Sequence, residues 1–315
     1  MISKNSGTQK MWPTWNDKKN EIATALQDYS NTTAVLKGIE DENALDTLSW
    51  QLVASLRREK YYLEIQHKRI SINRADPNSL SFDAERAVAY HIQQRNLDEA
   101  AWLIFLMTHF AKPENTGWLR LKDVYGKLGA GIWDWQSVTA DPIAFSNWLT
   151  TNWRNIGGKF GNHRKYESLR PNAKRNTTKV VADYVRWIGE FGHQRFFADV
   201  VRRSGNNPHV MFDMLFQNLS VTSFGRLAKF DYLMLIARYG IAPISPGQAY
   251  LKGATGPTRG ARLLCDGNTN SGTSIKNLQM TLDRLDENLT VGMSVIEDAL
   301  CNWQKSPKHF VHFIG

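Results

Sequence analysis

Wherever apolar residues gather in this chain they recur at spacings of three and four, and nowhere do they alternate at a period of two for long enough to make a strand. Leu45, Leu48, Leu52, Val53 and Leu56 form one such face, and Trp102, Phe105, Leu106 and Phe110 form another. That spacing puts side chains on one side of a helix, where they can be buried together. The sequence therefore predicts an all-α fold, with helices over residues 41–70, 83–94, 97–110, 178–190, 194–203, 208–218, 224–239, 252–265, 274–288 and 293–304. Asn96, with Glu99 three residues on, marks the start of one of them. The first forty residues are polar, with Trp12, Pro13 and Trp15 available to tuck that end onto the body. The loop at 71–81, broken by Asp76-Pro77-Asn78, divides an N-terminal helical segment (1–80) from a main body (81–315).

With 315 residues, 42% of them hydrophobic, and with eleven Trp and fourteen Phe as large anchors, the chain can bury a substantial core. No run approaches the roughly 20 apolar residues that span a bilayer, and the N-terminus lacks the basic-then-apolar order of a secretory signal, so a cytoplasmic location is expected. The two cysteines, Cys265 and Cys301, are too few for a disulfide framework, a four-cysteine zinc site or an iron–sulfur cluster. The histidines form no HExxH or comparable spacing, so no catalytic metal is expected. A P-loop, a dinucleotide fingerprint and a Gly-x-Ser-x-Gly elbow are all missing from the sequence, which excludes the usual nucleotide-driven and serine-hydrolase patterns and leaves no cofactor to expect. Nothing in the sequence points to a membrane or to an obligate protein partner.

The formal charge is +9, and its distribution says more than its size. Residues 1–80 are nearly balanced, with eleven Lys and Arg against ten Asp and Glu. Residues 154–179 instead hold eight basic side chains against the single acid Glu167, a local net of +7. Such a cluster, interleaved with Asn, Ser and Thr donors, suits the neutralisation of several phosphates, although a solvated basic loop would have the same composition.

The stretch Gly253-Ala-Thr-Gly-Pro-Thr-Arg-Gly-Ala-Arg262 lies between two helical runs. Two glycines three apart permit a tight hairpin at about 249–265, with a second helix beginning near Pro257. Backbone N–H groups at that helix start can grip a phosphate oxygen, and Gly260 and Ala261 are small enough for helices to approach closely. An ordinary helix–helix turn would account for the same glycines.

That turn resembles the phosphate-binding hairpin of the helix-hairpin-helix DNA glycosylases. Four segments resemble one branch of that superfold, the alpha-glutamyl/putrescinyl thymine pyrophosphorylase clade 3 family. They are Lys159-Phe-Gly-Asn-His-Arg-Lys-Tyr-Glu-Ser-Leu169, Phe224-Gly-Arg-Leu-Ala-Lys-Phe-Asp-Tyr-Leu233, the hairpin extended to Leu264, and Glu297-Asp-Ala-Leu-Cys-Asn-Trp-Gln-Lys-Ser-Pro307. With Leu97-Asp-Glu-Ala-Ala-Trp102, the likeness spreads over about residues 85–315. It implies a glycosylase-like architecture of two helical lobes with a cleft, and action on hypermodified bases in double-stranded DNA. Such action either builds modified thymines in phage pathways or, as in a similar bacterial antiphage DNA glycosylase, removes alpha-glucosylated 5-hydroxymethylcytosine. The second is the expectation here.

The resemblance also assigns residues. In glycosylases with lyase activity a Lys follows the second hairpin glycine by two positions and forms a Schiff base; here that position is Thr258, so a single-function enzyme that uses water is expected. Their catalytic Asp lies near the start of the next helix, where this chain has Thr273 and Ser274. Cleavage of an N-glycosidic bond builds positive charge on the sugar, which a carboxylate can stabilise while directing a water. The catalytic candidates are Asp266, close to the hairpin in sequence, Glu297 and Asp298, about 100° apart on one helix, and Asp231. Each acid has an alternative role as a surface charge or a salt-bridge partner. Tyr166, His163, Asn162 and Glu167 could stack on and hydrogen-bond a flipped base. Arg164, Lys165, Arg226, Lys252, Gly253, Gly256, Thr258 and Arg259 are the phosphate-binding candidates, with Phe224, Leu227 and Phe230 expected to pack while the charges of that element cap or bridge. The functional expectation is a monofunctional DNA glycosylase that leaves abasic sites. Its rivals are a transferase that replaces pyrophosphate on an activated 5-hydroxymethyl pyrimidine with an amino acid or polyamine, and a non-catalytic reader of modified DNA.

Overall fold

A computed structural model describes residues 12–313; positions 1–11 and 314–315, at the outer ends of the segments 1–80 and 81–315, lie outside the described residues. The fold is all-α. In order, the helices are α1 (Asn16–Thr32), α2 (Glu42–His67), α3 (Ala84–Gln93), α4 (Leu97–Phe110), α5 (Leu119–Tyr125), α6 (Trp135–Ala140) and α7 (Pro142–Asn152). There follow α8 (Thr177–Ile188), α9 (Gly192–Arg203), α10 (Pro208–Asn218), α11 (Arg226–Arg238), α12 (Thr255–Asp266), α13 (Ile275–Leu289) and α14 (Met293–Trp303). The described residues contain no strand, only an isolated bridge between Ser168 and Asn176. Among them no helix is long and apolar enough to cross a membrane.

The described chain groups into two compact units that do not follow its order: residues 12–58 belong with Leu251–Phe313, and Glu59–Tyr250 form the other unit. The loop at 71–81, a plausible boundary from its Pro and Asn, falls inside the larger unit. A break in helical pattern marks where an element ends, not which surfaces it shares.

The larger unit is built on α4. The side chain of Asn96 accepts from the Glu99 amide at 3.3 Å, and every residue from Glu99 to Phe110 is buried, as expected of a helix surrounded on all sides. Helices α3, α9 and α11 pack against it. Trp102 donates to the Trp133 carbonyl at 2.8 Å, and Phe105 stacks on Tyr184 with ring centroids 3.7 Å apart. A polar thread runs through this apolar mass. Asp98 accepts from the backbone N–H of His193 at 2.5 Å and lies 3.0 Å from its Nδ1; Nε2 of His193 is 2.7 Å from the Tyr184 hydroxyl, itself 2.9 Å from that of Tyr232. The carboxylate fixes the proton on Nδ1, so Nε2 accepts from Tyr184 and Tyr184 accepts from Tyr232. Residues on α4, α8, α9 and α11 are tied by this chain, and a buried donor or acceptor left unpaired would cost each of them.

In the smaller unit α12 lies directly on α14. Gly256 and Gly260, four apart and therefore on one face, make that possible: a Cβ on the first would run into Cys301 Sγ, and on the second into the Leu300 carbonyl. The short turn Lys37–Ile39 crosses the same helix, where a Cβ at Gly38 would meet the Leu263 carbonyl. Helix α13 buries Leu278, Leu282, Leu285 and Leu289, and α1 packs on it through Ile22, Leu26 and Tyr29. Trp12 makes edge contacts with Trp50 and Phe310, with the Arg57 guanidinium 3.7 Å above its ring, so this tryptophan does anchor the N-terminal end.

Candidate nucleic-acid interface

The basic segment 154–179 sorts its charges cleanly between surface and interior. Arg154, Lys159, Lys165, Arg170, Lys174, Arg175 and Lys179 are exposed, whereas the single acid, Glu167, and Arg164 are buried. The outward face is therefore purely cationic along its own sequence. Arg154 and Arg170 both lie over the Trp153 ring, at 5.1 and 5.8 Å.

Burial of Arg164 gives it a role unlike its neighbours'. Its Nε donates to the His109 carbonyl at 3.3 Å and its Nη1 to the Ser223 carbonyl at 2.9 Å, while the guanidinium lies 5.0 Å above Phe224. Nη2 is 3.7 Å from Glu167 Oε1, which is also 3.8 Å from Arg175. Burial lowers the Arg164 pKa, and the charges of Glu167 and Asp231 oppose that fall. Burial likewise raises the Glu167 carboxyl, with Arg164 and Arg175 pulling the other way. Arg164 and Glu167, a phosphate and a base candidate in the sequence, thus meet as a buried pair, with the charge of Asp231 felt at the same guanidinium.

His109 completes this cluster, although its sequence position inside an apolar helix gave no signal. The Thr177 hydroxyl donates to the Ser168 carbonyl at 3.2 Å and so accepts from Nε2–H of His109 at 3.0 Å. That leaves Nδ1 a bare acceptor. Burial, followed by the Arg164 charge, holds the imidazole well below its usual pKa, and therefore neutral. His109 Nδ1 and Arg164 Nη2 are buried without a hydrogen-bond partner among the described residues, whereas the Glu167 carboxylate is met by the Ser223 hydroxyl. Two such atoms beside one ion pair are unusual, because buried polar atoms are normally satisfied.

Between the buried anchors the same turn exposes Asn162, His163, Lys165 and Tyr166, the last at 71%. This is a 3-10 turn, Asn162–Arg164, rather than the N-terminus of an α-helix, and His163 lies outside the core.

Arg226, at the start of α11, turns its guanidinium onto the chain leading to the hairpin: Nε donates to the Tyr250 carbonyl at 2.9 Å and Nη2 to that of Ala249 at 2.7 Å, with Phe230 beneath at 4.6 Å. Leu227, expected to pack, is 38% exposed. The hairpin itself turns at Gly253, whose φ of 78° suits glycine, and the Ala254 amide donates to the Leu251 carbonyl at 2.9 Å. Helix α12 begins at Thr255, with no side-chain cap at Ala254. Lys252 and Arg259 are exposed beside its start. Thr258 faces inward and donates to the Leu251 carbonyl at 2.8 Å. Gly256 lies against Cys301 in the α12–α14 contact.

The remaining acids are dispersed. Asp266 closes α12 and accepts from the Ser271 hydroxyl, bracing the loop to α13. Ser274, where the resemblance expects an acid, caps α13 by accepting from the Asn277 amide at 3.2 Å. Glu297 is buried in α14. Asp298 accepts from Ser55 at 2.5 Å, Arg58 at 2.6 Å and Asn302 at 3.2 Å. No group of three or more His, Cys, Asp and Glu side chains suited to a metal ion occurs among the described residues.

No curated protein and no solved structure matches the chain. The model of one protein family does match, over residues 43–315, which takes in the basic turn, the start of α11, the hairpin and α14. On that match the chain belongs to the alpha-glutamyl/putrescinyl thymine pyrophosphorylase clade 3 family.

Proposed function

We propose that this protein acts on a hypermodified pyrimidine in double-stranded DNA, extruding the nucleotide and hydrolysing its N-glycosidic bond as a monofunctional DNA glycosylase. The substrate we favour is alpha-glucosylated 5-hydroxymethylcytosine in phage DNA, and the role antiphage defence in the cytoplasm. In the reaction the oxygen of a water bonds to C1′ as the bond from C1′ to the base nitrogen breaks. The base leaves with the electron pair and is protonated, a carboxylate takes the proton of the water, and an abasic site remains.

The observation that carries the DNA assignment is the exposed face of residues 154–179, seven cations with no exposed acid in the same segment. The uncapped start of α12 with Lys252 and Arg259 offers a second phosphate contact. Thr258 supports the absence of lyase chemistry, since a hydroxyl in place of an amine cannot form an imine. Asp231, Asp266, Glu297 and Asp298 are the carboxylates proposed for the water. Replacing each by its amide, one at a time, ranks them by loss of turnover on modified DNA.

The family description names a pyrophosphorylase, and this favours a second reading. In it an amine attacks the 5-methylene carbon of an activated 5-hydroxymethyl pyrimidine, the bond to the pyrophosphate oxygen breaks, and pyrophosphate leaves with the electron pair. Mass spectrometry of the products separates the two: a free modified base supports hydrolysis, and a nucleoside still joined to its sugar and carrying the amine in place of pyrophosphate supports transfer.

A further inference from the structure

The turn over residues 161–167 buries every third residue and exposes the pairs between them. Gly161, Arg164 and Glu167 lie inside; Asn162 with His163 and Lys165 with Tyr166 lie outside. Two successive backbone bonds set this period, from the Arg164 amide to the Gly161 carbonyl and from the Glu167 amide to the Arg164 carbonyl, each 2.9 Å. All three inward positions are pinned. The Gly161 amide donates to the Phe110 carbonyl at 2.8 Å, in a gap where a Cβ would collide with Ala111. Arg164 grips the carbonyls of His109 and Ser223, and Glu167 is held between Arg164 and Arg175.

The consequence falls on Tyr166. Its backbone is fixed on both sides, yet its ring is 71% exposed, with Lys165 Nζ 5.3 Å from the ring centre as its neighbour. A ring this exposed is poorly placed to wall a pocket, because a pocket encloses most of its ligand's surface. A fixed, outward aromatic among cations is shaped to enter a partner instead. The partner that presents both stackable rings and a regular row of phosphates is nucleic acid.

We infer that Tyr166 is a wedge that enters the base stack of duplex DNA and fills the space an extruded nucleotide leaves, with Arg164 as the positioning residue that holds the turn. This rests on the proposed DNA substrate and changes the role of Tyr166 from a floor for the flipped base to a plug for the gap. Unstacking a step by an inserted side chain is unfavourable, and phosphate contacts from the surrounding lysines and arginines can offset it.

The test uses the full chain and a duplex in which 2-aminopurine neighbours one alpha-glucosylated 5-hydroxymethylcytosine, since 2-aminopurine brightens when it is unstacked. The native protein is expected to raise the fluorescence on binding. Tyr166→Phe keeps the rise, and Tyr166→Ser abolishes it and weakens binding about ten-fold. Both substitutions are at an exposed ring and leave Tm unchanged. Arg164→Lys, which keeps a charge but not the two-carbonyl clamp, loses the rise while the salt dependence of binding stays as in the native protein. A full fluorescence rise from Tyr166→Ser, or tight binding by the native protein with no rise, overturns the wedge and leaves the proposed DNA substrate standing. Failure of the native protein to bind this duplex and an unmodified one overturns that substrate first, and the wedge with it.

Discussion

The Thr258 hydroxyl donates to the carbonyl oxygen of Leu251 at 2.8 Å, so the side chain two positions after the second hairpin glycine braces the turn itself and offers no amine. With no amine at that place, borohydride reduction during turnover on modified DNA is expected to trap no covalent protein–DNA adduct. A trapped adduct that mapped to Lys252 would mean that the neighbouring lysine had taken over. Thr258→Val, which keeps the shape and deletes the bond, should lower stability by about 1 kcal/mol in chemical denaturation.

The α12–α14 contact depends on glycine. Gly260→Ala places a methyl group against the Leu300 carbonyl and is expected to destabilise the protein by about 1–3 kcal/mol, with a matching fall in Tm. Gly272→Ala, where a Cβ meets nothing within 4 Å, provides the control and should change little.

Glu99 makes stability pH-dependent. It is 4% exposed, accepts from Tyr125 at 2.6 Å and from the Trp135 amide at 2.7 Å, and burial pushes its carboxyl up from 4.5 to about 7. A raised carboxyl pKa means that the folded state disfavours the charge. Its contribution is therefore neutral below the unfolded pKa, becomes a growing cost as pH rises above it, and is fully developed once pH passes the folded one. Over pH 4.5 to 7 that cost reaches on the order of 3 kcal/mol. Denaturation measured across this window should show Glu99→Gln gaining stability relative to the native protein as pH rises. A constant difference between the two would contradict it.

The cationic face predicts a salt signature. Replacing Lys159, Lys165 and Lys174 together by Ala should weaken DNA binding and reduce the slope of log K against log salt by roughly 2 to 3, whatever the base sequence. An unchanged slope would place the phosphates elsewhere.

Helices were legible where a long apolar face recurred: the expected spans at 97–110 and 208–218 coincide with α4 and α10, and Asn96 caps as its spacing with Glu99 suggests, whereas the short helices α5, α6 and α7 carried no such span. Helix α1 escaped notice because only Ile22, Leu26 and Tyr29 are buried in an otherwise polar segment, though their spacing of four and three was visible. The grouping of the N-terminal residues with 251–313 was not legible, since no local pattern encodes which surfaces meet. The same limit governs the candidate site. Residues 154–179 announced their charge, but the inward turn of Arg164 depends on carbonyls at His109 and Ser223, each more than fifty residues away in the chain. A histidine inside an apolar helix reads as core, and only the fold brings it to a buried ion pair.

The bond proposed to break joins a modified pyrimidine to its sugar. Incubating the protein with DNA containing alpha-glucosylated 5-hydroxymethylcytosine, then measuring released base by mass spectrometry and abasic sites by alkaline cleavage, tests it most directly. Free modified base and alkali-labile sites are expected in equal amounts, with unmodified DNA untouched. Modified DNA recovered with every base still attached to its sugar would contradict it.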